Sequence, residues 1–213
     1  MGLDQWLYQI QRLTKEEAIA LEGKHYNEIS EDDSLLLFRA NESEEGDFDE
    51  IKSIFGYLTK VKLISSLVHI EDLYKDKGVP EGYSVIGSSY RNGNTHVSFV
   101  KHPEDGSEYE YSKLPIVEID VTDEEYNKYS YEEVEDYYVC KKEEIYYWRK
   151  NYELQYKLYE SAEENGDQIL NCGWHKCNEE MIMDIQDAIS QEDNMRLVLN
   201  LPESEAYVYH EWY

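Results

Sequence analysis

Polar and apolar residues alternate through Trp6, Tyr8 and Ile10, which predicts a strand over Leu3 to Gln11. Thr14-Lys15-Glu16-Glu17 follows as a capping box. The Thr14 hydroxyl can accept the amide three residues on while Glu17 reaches back, so a short helix should run to Gly23. Ile51, Ile54, Phe55 and Leu58 are spaced as on a helix, and Leu63, Leu67 and Ile70 extend that pattern toward Tyr74. Arg91-Asn92-Gly93-Asn94 lies between the apolar runs Tyr83 to Ile86 and Thr95 to Phe99. It predicts a hairpin, because Asn and Gly both tolerate positive φ. Leu114 to Val121 reads as a strand that Pro115 confines to an edge or a strand start.

A second capping box, Thr122-Asp123-Glu124-Glu125, opens a short Tyr-bearing helix, and Tyr137 to Val139 reads as a brief strand. The longest helix is expected from Lys141 to Glu164, ended by Asn165-Gly166, with Ile145, Trp148, Tyr152, Tyr156 and Tyr159 as its core stripe. Ile169 to Cys177 is a candidate strand. Asn178 caps a helix that turns Met181, Ile182, Ile185, Ala188 and Ile189 inward, and Arg196 to Leu201 and Ala206 to Trp212 close the chain as strands. Without a regular βαβ alternation the expected class is α+β: a mixed or antiparallel sheet packed by several helices, with a central inserted region. The 213 residues fit a single domain, with a core from 1–24 and 141–213 and with 25–140 as an acidic insertion or sub-domain.

The opening Met1-Gly2-Leu3-Asp4-Gln5-Trp6-Leu7-Tyr8 resembles the "MGLDMYLY" start of a family of small phage and mobile-element proteins. Glu144-Ile145-Tyr146-Tyr147-Trp148-Arg149-Lys150 is similar to that family's "YWRK" helix. Asn171-Cys172 before a helix, and Leu201-Pro202 before an aromatic strand ending Glu211-Trp212-Tyr213, resemble its remaining landmarks. The likeness covers residues 1–13 and 143–213 and leaves 25–140 without a counterpart. Where the family carries an Ile-His pair after its YWRK, this chain has Leu154-Gln155, so no imidazole chemistry carries over. The resemblance implies a phage or mobile-element origin and no particular activity.

Composition sharpens the picture. Asp and Glu total 47 against 20 Lys and Arg, a formal charge of −27. Such a surface repels nucleic acid and anionic membranes. The 41% apolar fraction and 21 tyrosines supply enough burial for a folded chain. No window approaches the ~18 apolar residues of a membrane span. The N-terminus lacks a signal-peptide pattern, and Trp6 stands where a myristoylation signal requires Ser or Thr. Three sparse cysteines fit a reducing compartment, so the expected location is the cytoplasm of a host cell.

Catalytic motifs are scarce: there is no P-loop, no dinucleotide glycine fingerprint and no nucleophile elbow. The metal-like spacing is Cys172, His175 and Cys177, with Cys140 or His210 as a fourth zinc ligand. An alternative reading is thus a zinc-binding or enzymatic protein using that cluster. The simpler one is two small buried thiols beside a histidine, with no cofactor and no catalytic residues. Abundant carboxylates raise a thiol pKa and oppose cysteine catalysis.

Negative charge concentrates at Glu42 to Glu50, Glu104 to Glu110 and Glu118 to Asp136. The candidate partner-binding residues are Asp123, Glu124, Glu125, Tyr129, Tyr131, Glu132, Glu133, Glu135 and Asp136, together with Glu44, Glu45 and Asp47. Carboxylates on rigid elements can imitate the phosphate row of DNA, and tyrosines add flat contact area with a polar tip. The expected role is a non-enzymatic inhibitor of anti-CRISPR or anti-restriction type. Its partner would be a basic host protein such as a CRISPR effector or restriction enzyme, engaged by a surface standing in for nucleic acid. A structural protein of phage assembly is a further alternative, and a merely solubilising acidic face is the plainest one.

Overall fold

The computed structural model describes residues 2–40, 48–101 and 114–213. They form an α+β fold with antiparallel sheets, divided into two compact units: residues 1–64 with 134–213, and residues 65–133. In the first, β1 (Asp4–Arg12) leads into α1 (Lys15–Leu21), α2 (Tyr26–Ser30) and β2 (Leu35–Arg39). After α3 (Phe48–Ile51) and a 3-10 helix (Lys52–Tyr57), β3 (Thr59–Val68) carries the chain out of this unit. The second unit holds α4 (Ile70–Asp76), β4 (Tyr83–Arg91), β5 (Asn94–Lys101), β6 (Ile116–Thr122) and α5 (Asp123–Lys128). The chain then returns along β7 (Ser130–Arg149) and finishes with α6 (Tyr152–Glu164), β8 (Trp174–Lys176), α7 (Glu179–Glu192) and β9 (Glu205–Trp212).

The large sheet runs β2-β7-β1-β9-β8, with β3 also paired to β7. Its centre is β1, where Gln5 sits opposite Trp148 on one side and Glu211 on the other. One face of this sheet buries Leu7, Trp148, Tyr207 and Tyr209 against Leu158 of α6 and Ile185 of α7. The other packs Ile10, Cys140 and Val208 against Ile51 and Ile54. On that second face Trp6 touches Tyr147 and His210, and His210 stacks on Trp174 at 4.3 Å.

Both capping boxes form as the sequence predicts, at Thr14 with Glu17 and at Thr122 with Glu125. Asn92 and Gly93 take φ of 54° and 80°, making the two-residue turn between β4 and β5. In the second unit Val97, Phe99, Ile119 and Val121 of the three-stranded sheet β4-β5-β6 cover Leu73 of α4.

Four expectations are corrected. The helix expected over 141–164 begins only at Tyr152, because Lys141 to Arg149 pairs with β1 as the end of a 20-residue strand. Lys150 at φ 60° turns the chain, and the Asn151 side chain caps α6 by accepting the Leu154 amide. The helix pattern over 51–74 is broken by β3, in which Val61, Leu63 and Ser65 point inward while Lys60 and Lys62 point out. Leu63 and Leu67 are four residues apart, a spacing that periods of 2 and 3.6 share. Finally, only Trp174–Lys176 of the 169–177 stretch is a strand, and Arg196 to Leu201 is none, with Val198 and Leu199 exposed.

The chain leaves and re-enters the first unit along paired strands, and Lys62 of β3 reaches Asp136 of β7 at 2.8 Å. Replacing residues 65–133 by a turn of about four residues containing Asn-Gly is therefore expected to leave the first unit folded. All four tryptophans, Trp6, Trp148, Trp174 and Trp212, lie in it. Their fluorescence in urea should show one cooperative transition with a slope about two thirds of the full chain's. Absence of a transition would show that the first unit depends on the second.

Candidate functional site

The residues that sequence patterning marks for partner binding divide between the two units. In the second, the capping box fixes α5 so that Asp123 and Glu124 stand exposed in its first turn. Glu125 turns inward to accept from Lys77 at 2.8 Å and from the Thr122 amide at 2.9 Å. Those contacts, the lysine's first, hold its carboxyl down at about 2. The Tyr129 hydroxyl donates to Asp76, which raises the phenol pKa. Tyr131 stacks on His69 with ring centres 4.1 Å apart. Glu132 and Glu133 are exposed at the start of β7, and Glu118 and Asp120 are exposed on β6.

Glu135 and Asp136 belong to the first unit and are only half-exposed. Arg39 lies 3.2 Å from Glu135, while Lys60 and Lys62 lie 2.7 and 2.8 Å from Asp136 and lower its pKa. These two acids tie β7 to β2 and β3. Glu44, Glu45 and Asp47 lie outside the described residues, as does the 104–110 stretch. Nor is the acidity confined to the inserted unit: residues 65–133 carry 15 acids against 6 Lys and Arg, and the remaining 144 residues carry 32 against 14. Charge density is nearly equal in the two.

His175 and Cys177 are buried, while Cys172 is partly exposed at φ 64°. His175 is buried and its Nε2 accepts the Leu170 amide at 2.8 Å, while burial lowers its pKa. A Cβ at Gly173 would fall 2.5 Å from that same nitrogen, so only glycine fits there. Burial pushes the thiols of Cys140 and Cys177 up to about 12, the reverse of what a nucleophile needs. His210 Nδ1 lies 3.0 Å from the Gly173 carbonyl oxygen. Among the described residues no three His, Cys, Asp or Glu side chains group as a metal site.

A different polar constellation lies inside the first unit. Gln5 and Glu211 face each other across β1 and β9, and both are fully buried. Glu211 accepts from the Tyr209 hydroxyl at 2.7 Å, from the Gln155 amide at 3.0 Å and from the Tyr159 hydroxyl. Gln5 donates to the Tyr209 oxygen at 2.8 Å and accepts the Asn151 amide at 3.0 Å. Burial first, and then Glu211, raise the pKa of both tyrosines. Outside this network a cleft opens between Leu3, Tyr152, Gln155, Tyr156, Tyr159 and Tyr213. The sequence carries one signal of it: polar Gln5 and Glu211 sit in register with Leu7 and Tyr209 on core-facing positions.

No protein-family model, no curated protein and no solved structure matches the chain. No helix among the described residues is long and apolar enough to cross a membrane.

Proposed function

We propose that the chain is a non-enzymatic binding protein that docks on the basic surface of a nucleic-acid-handling protein and competes there with DNA or RNA. The observation that carries this reading is a division among the acids. Glu17, Glu125, Glu135 and Asp136 are matched to Lys or Arg of other elements and Glu124 to Lys128 of its own helix, whereas Glu118, Asp123 and Glu133 are exposed. The chain has 47 acids for 20 Lys and Arg, and solubility needs a net charge of only about 2–8 in a small domain. Alternate acids on a strand, such as Glu118 and Asp120, repeat every ~6.8 Å, close to two phosphate steps of ~3.4 Å along one DNA strand. The likeness of the chain's ends to phage and mobile-element proteins supports a host target such as a CRISPR effector or restriction enzyme.

The test is capture of partners from host lysate at low and high salt, followed by displacement with duplex DNA. Charge reversal is best made at Glu118, Asp123 and Glu133, since reversing Glu135 or Asp136 would set like charges against Arg39, Lys60 and Lys62. The triple reversal is expected to weaken capture on the order of tenfold or more, and added salt to weaken it steeply. Capture indifferent to both would sink electrostatic mimicry.

A further inference from the structure

The cleft at the start of α6 is lined by four tyrosines, one glutamine and one leucine, and encloses about 630 Å³. Tyr152, Tyr156 and Tyr213 are all more than half exposed, an unusual display for large rings so near one another. The direction of the hydrogen bonds around them is informative. Gln155 gives its amide proton inward to Glu211, and Tyr159 gives its hydroxyl proton to the same carboxylate. Glu160, on the next turn of the helix, raises the pKa of the Tyr156 hydroxyl.

One Gln155 N–H and the Tyr159 hydroxyl thus point their protons away from the cleft. What the lining offers a ligand is tyrosine rings with negative faces and phenolic lone pairs, beside the hydroxyls of Tyr152 and Tyr213 and the second Gln155 N–H. Behind them sits Glu211, fully buried, whose hydrogen-bond donors are all neutral. A proton shared from Tyr159 to that carboxylate enriches the Tyr159 ring in electrons and strengthens its attraction for a cation.

From this geometry we infer that the cleft receives an arginine side chain. A guanidinium is a flat, permanent cation that carries five N–H donors and no acceptor, and it stacks on tyrosine faces. An anion finds no Lys, Arg or His in the lining and a buried carboxylate behind it, and a quaternary ammonium would leave the lone pairs unmatched. The inference rests on the proposed basic partner only for the source of the arginine; binding of the side chain itself stands apart from it.

The full-length protein is titrated with N-acetyl-arginine amide, N-acetyl-lysine amide and N-acetyl-citrulline amide, followed by NMR shifts of the tyrosine ring protons. The arginine amide is expected to bind at about 1 mM and to shift Tyr152, Tyr156, Tyr159 and Tyr213. Citrulline keeps the shape and loses the charge, and should bind at least about tenfold more weakly. Lysine, with three donors and no flat face, should fall between them. Tyr156→Leu should weaken arginine by about tenfold and Tyr156→Phe much less, because the ring face makes the contact. Tyr156 is exposed, so neither variant threatens the fold. Equal binding of citrulline, shifts confined to other tyrosines, or no shift at several times 1 mM would each overturn the assignment. None of those results would alter the outcome of charge reversal at Glu118, Asp123 and Glu133, which separates this inference from the docking proposal.

Discussion

Tyr209→Ala is expected to cost about 3–5 kcal/mol, and Tyr209→Phe, which removes a single oxygen, about 1–3 kcal/mol. The first figure follows from burial: Tyr209 is among the largest fully buried side chains and packs in the cluster that joins the large sheet to α6 and α7. Truncation opens a cavity that those elements cannot close without leaving their own contacts. The second figure comes from hydrogen bonding alone. The Tyr209 oxygen accepts from Gln5 and donates to Glu211, both of them fully buried, so phenylalanine leaves one amide donor and one carboxylate oxygen short of a partner. Water cannot reach either group to compensate. With unfolding free energies of about 5–15 kcal/mol, the alanine variant should lower the melting temperature by on the order of 10 °C. Trp fluorescence reads the first unit selectively, because all four tryptophans lie there. If Tyr209→Phe melts within about 1 °C of the parent, the Gln5–Tyr209–Glu211 chain contributes no measurable stability.

Local chemistry was readable from the chain, and pairing was not. The boxes at Thr14 and Thr122, the Asn178 cap and the Asn92-Gly93 turn are decided by atoms a few residues apart. Each was placed from sequence alone. The 20-residue β7 is different. Its stretch from Ile145 to Trp148 suits a helix stripe equally well, and what holds it extended is β1, more than 130 residues away. The same distance problem hides the site. Gln5 and Glu211 look like ordinary strand polar residues until the register of β1 with β9 sets them face to face. The acidic stretch 118–136 was visible as charge. Which of its members are exposed depended on Lys77, Arg39, Lys60 and Lys62, cations contributed by other elements. Composition counts carboxylates, whereas the fold decides how many remain to meet a partner.

The last large effect follows from that excess. At pH 7 the chain carries −27, and self-repulsion opposes compactness. Approaching the isoelectric point near 4.4 relieves it, so stability should rise from pH 7 toward pH 5. Below that the sign reverses. Glu17, hydrogen-bonded to Lys141 and to the Thr14 amide, and Glu125, bonded to Lys77, are held down at about 2 in the folded chain. Their contribution is complete above the ordinary carboxylate pKa of about 4.3 and is lost as pH falls through about 2. Asp32 and Asp136 are lowered as well and act in the same direction. On the alkaline side the buried thiols of Cys140 and Cys177 are raised to about 12, so their contribution is present below the unfolded thiol pKa of about 8.5 and disappears as pH climbs toward 12. The expected profile of melting temperature is a dome with its summit near pH 5, a steep fall between about 4 and 2 and a slower one above about 9. Salt discriminates its two causes. Raising it at pH 7 from 0.01 to 0.1 M shortens the screening length from about 30 to about 10 Å and should raise the melting temperature by several degrees. The same addition at pH 5, where repulsion has largely gone, should change it little. A salt response equal at the two pH values would mean that the net charge is dispersed too widely to oppose folding, and the cost assigned to the exposed carboxylates would fall with it.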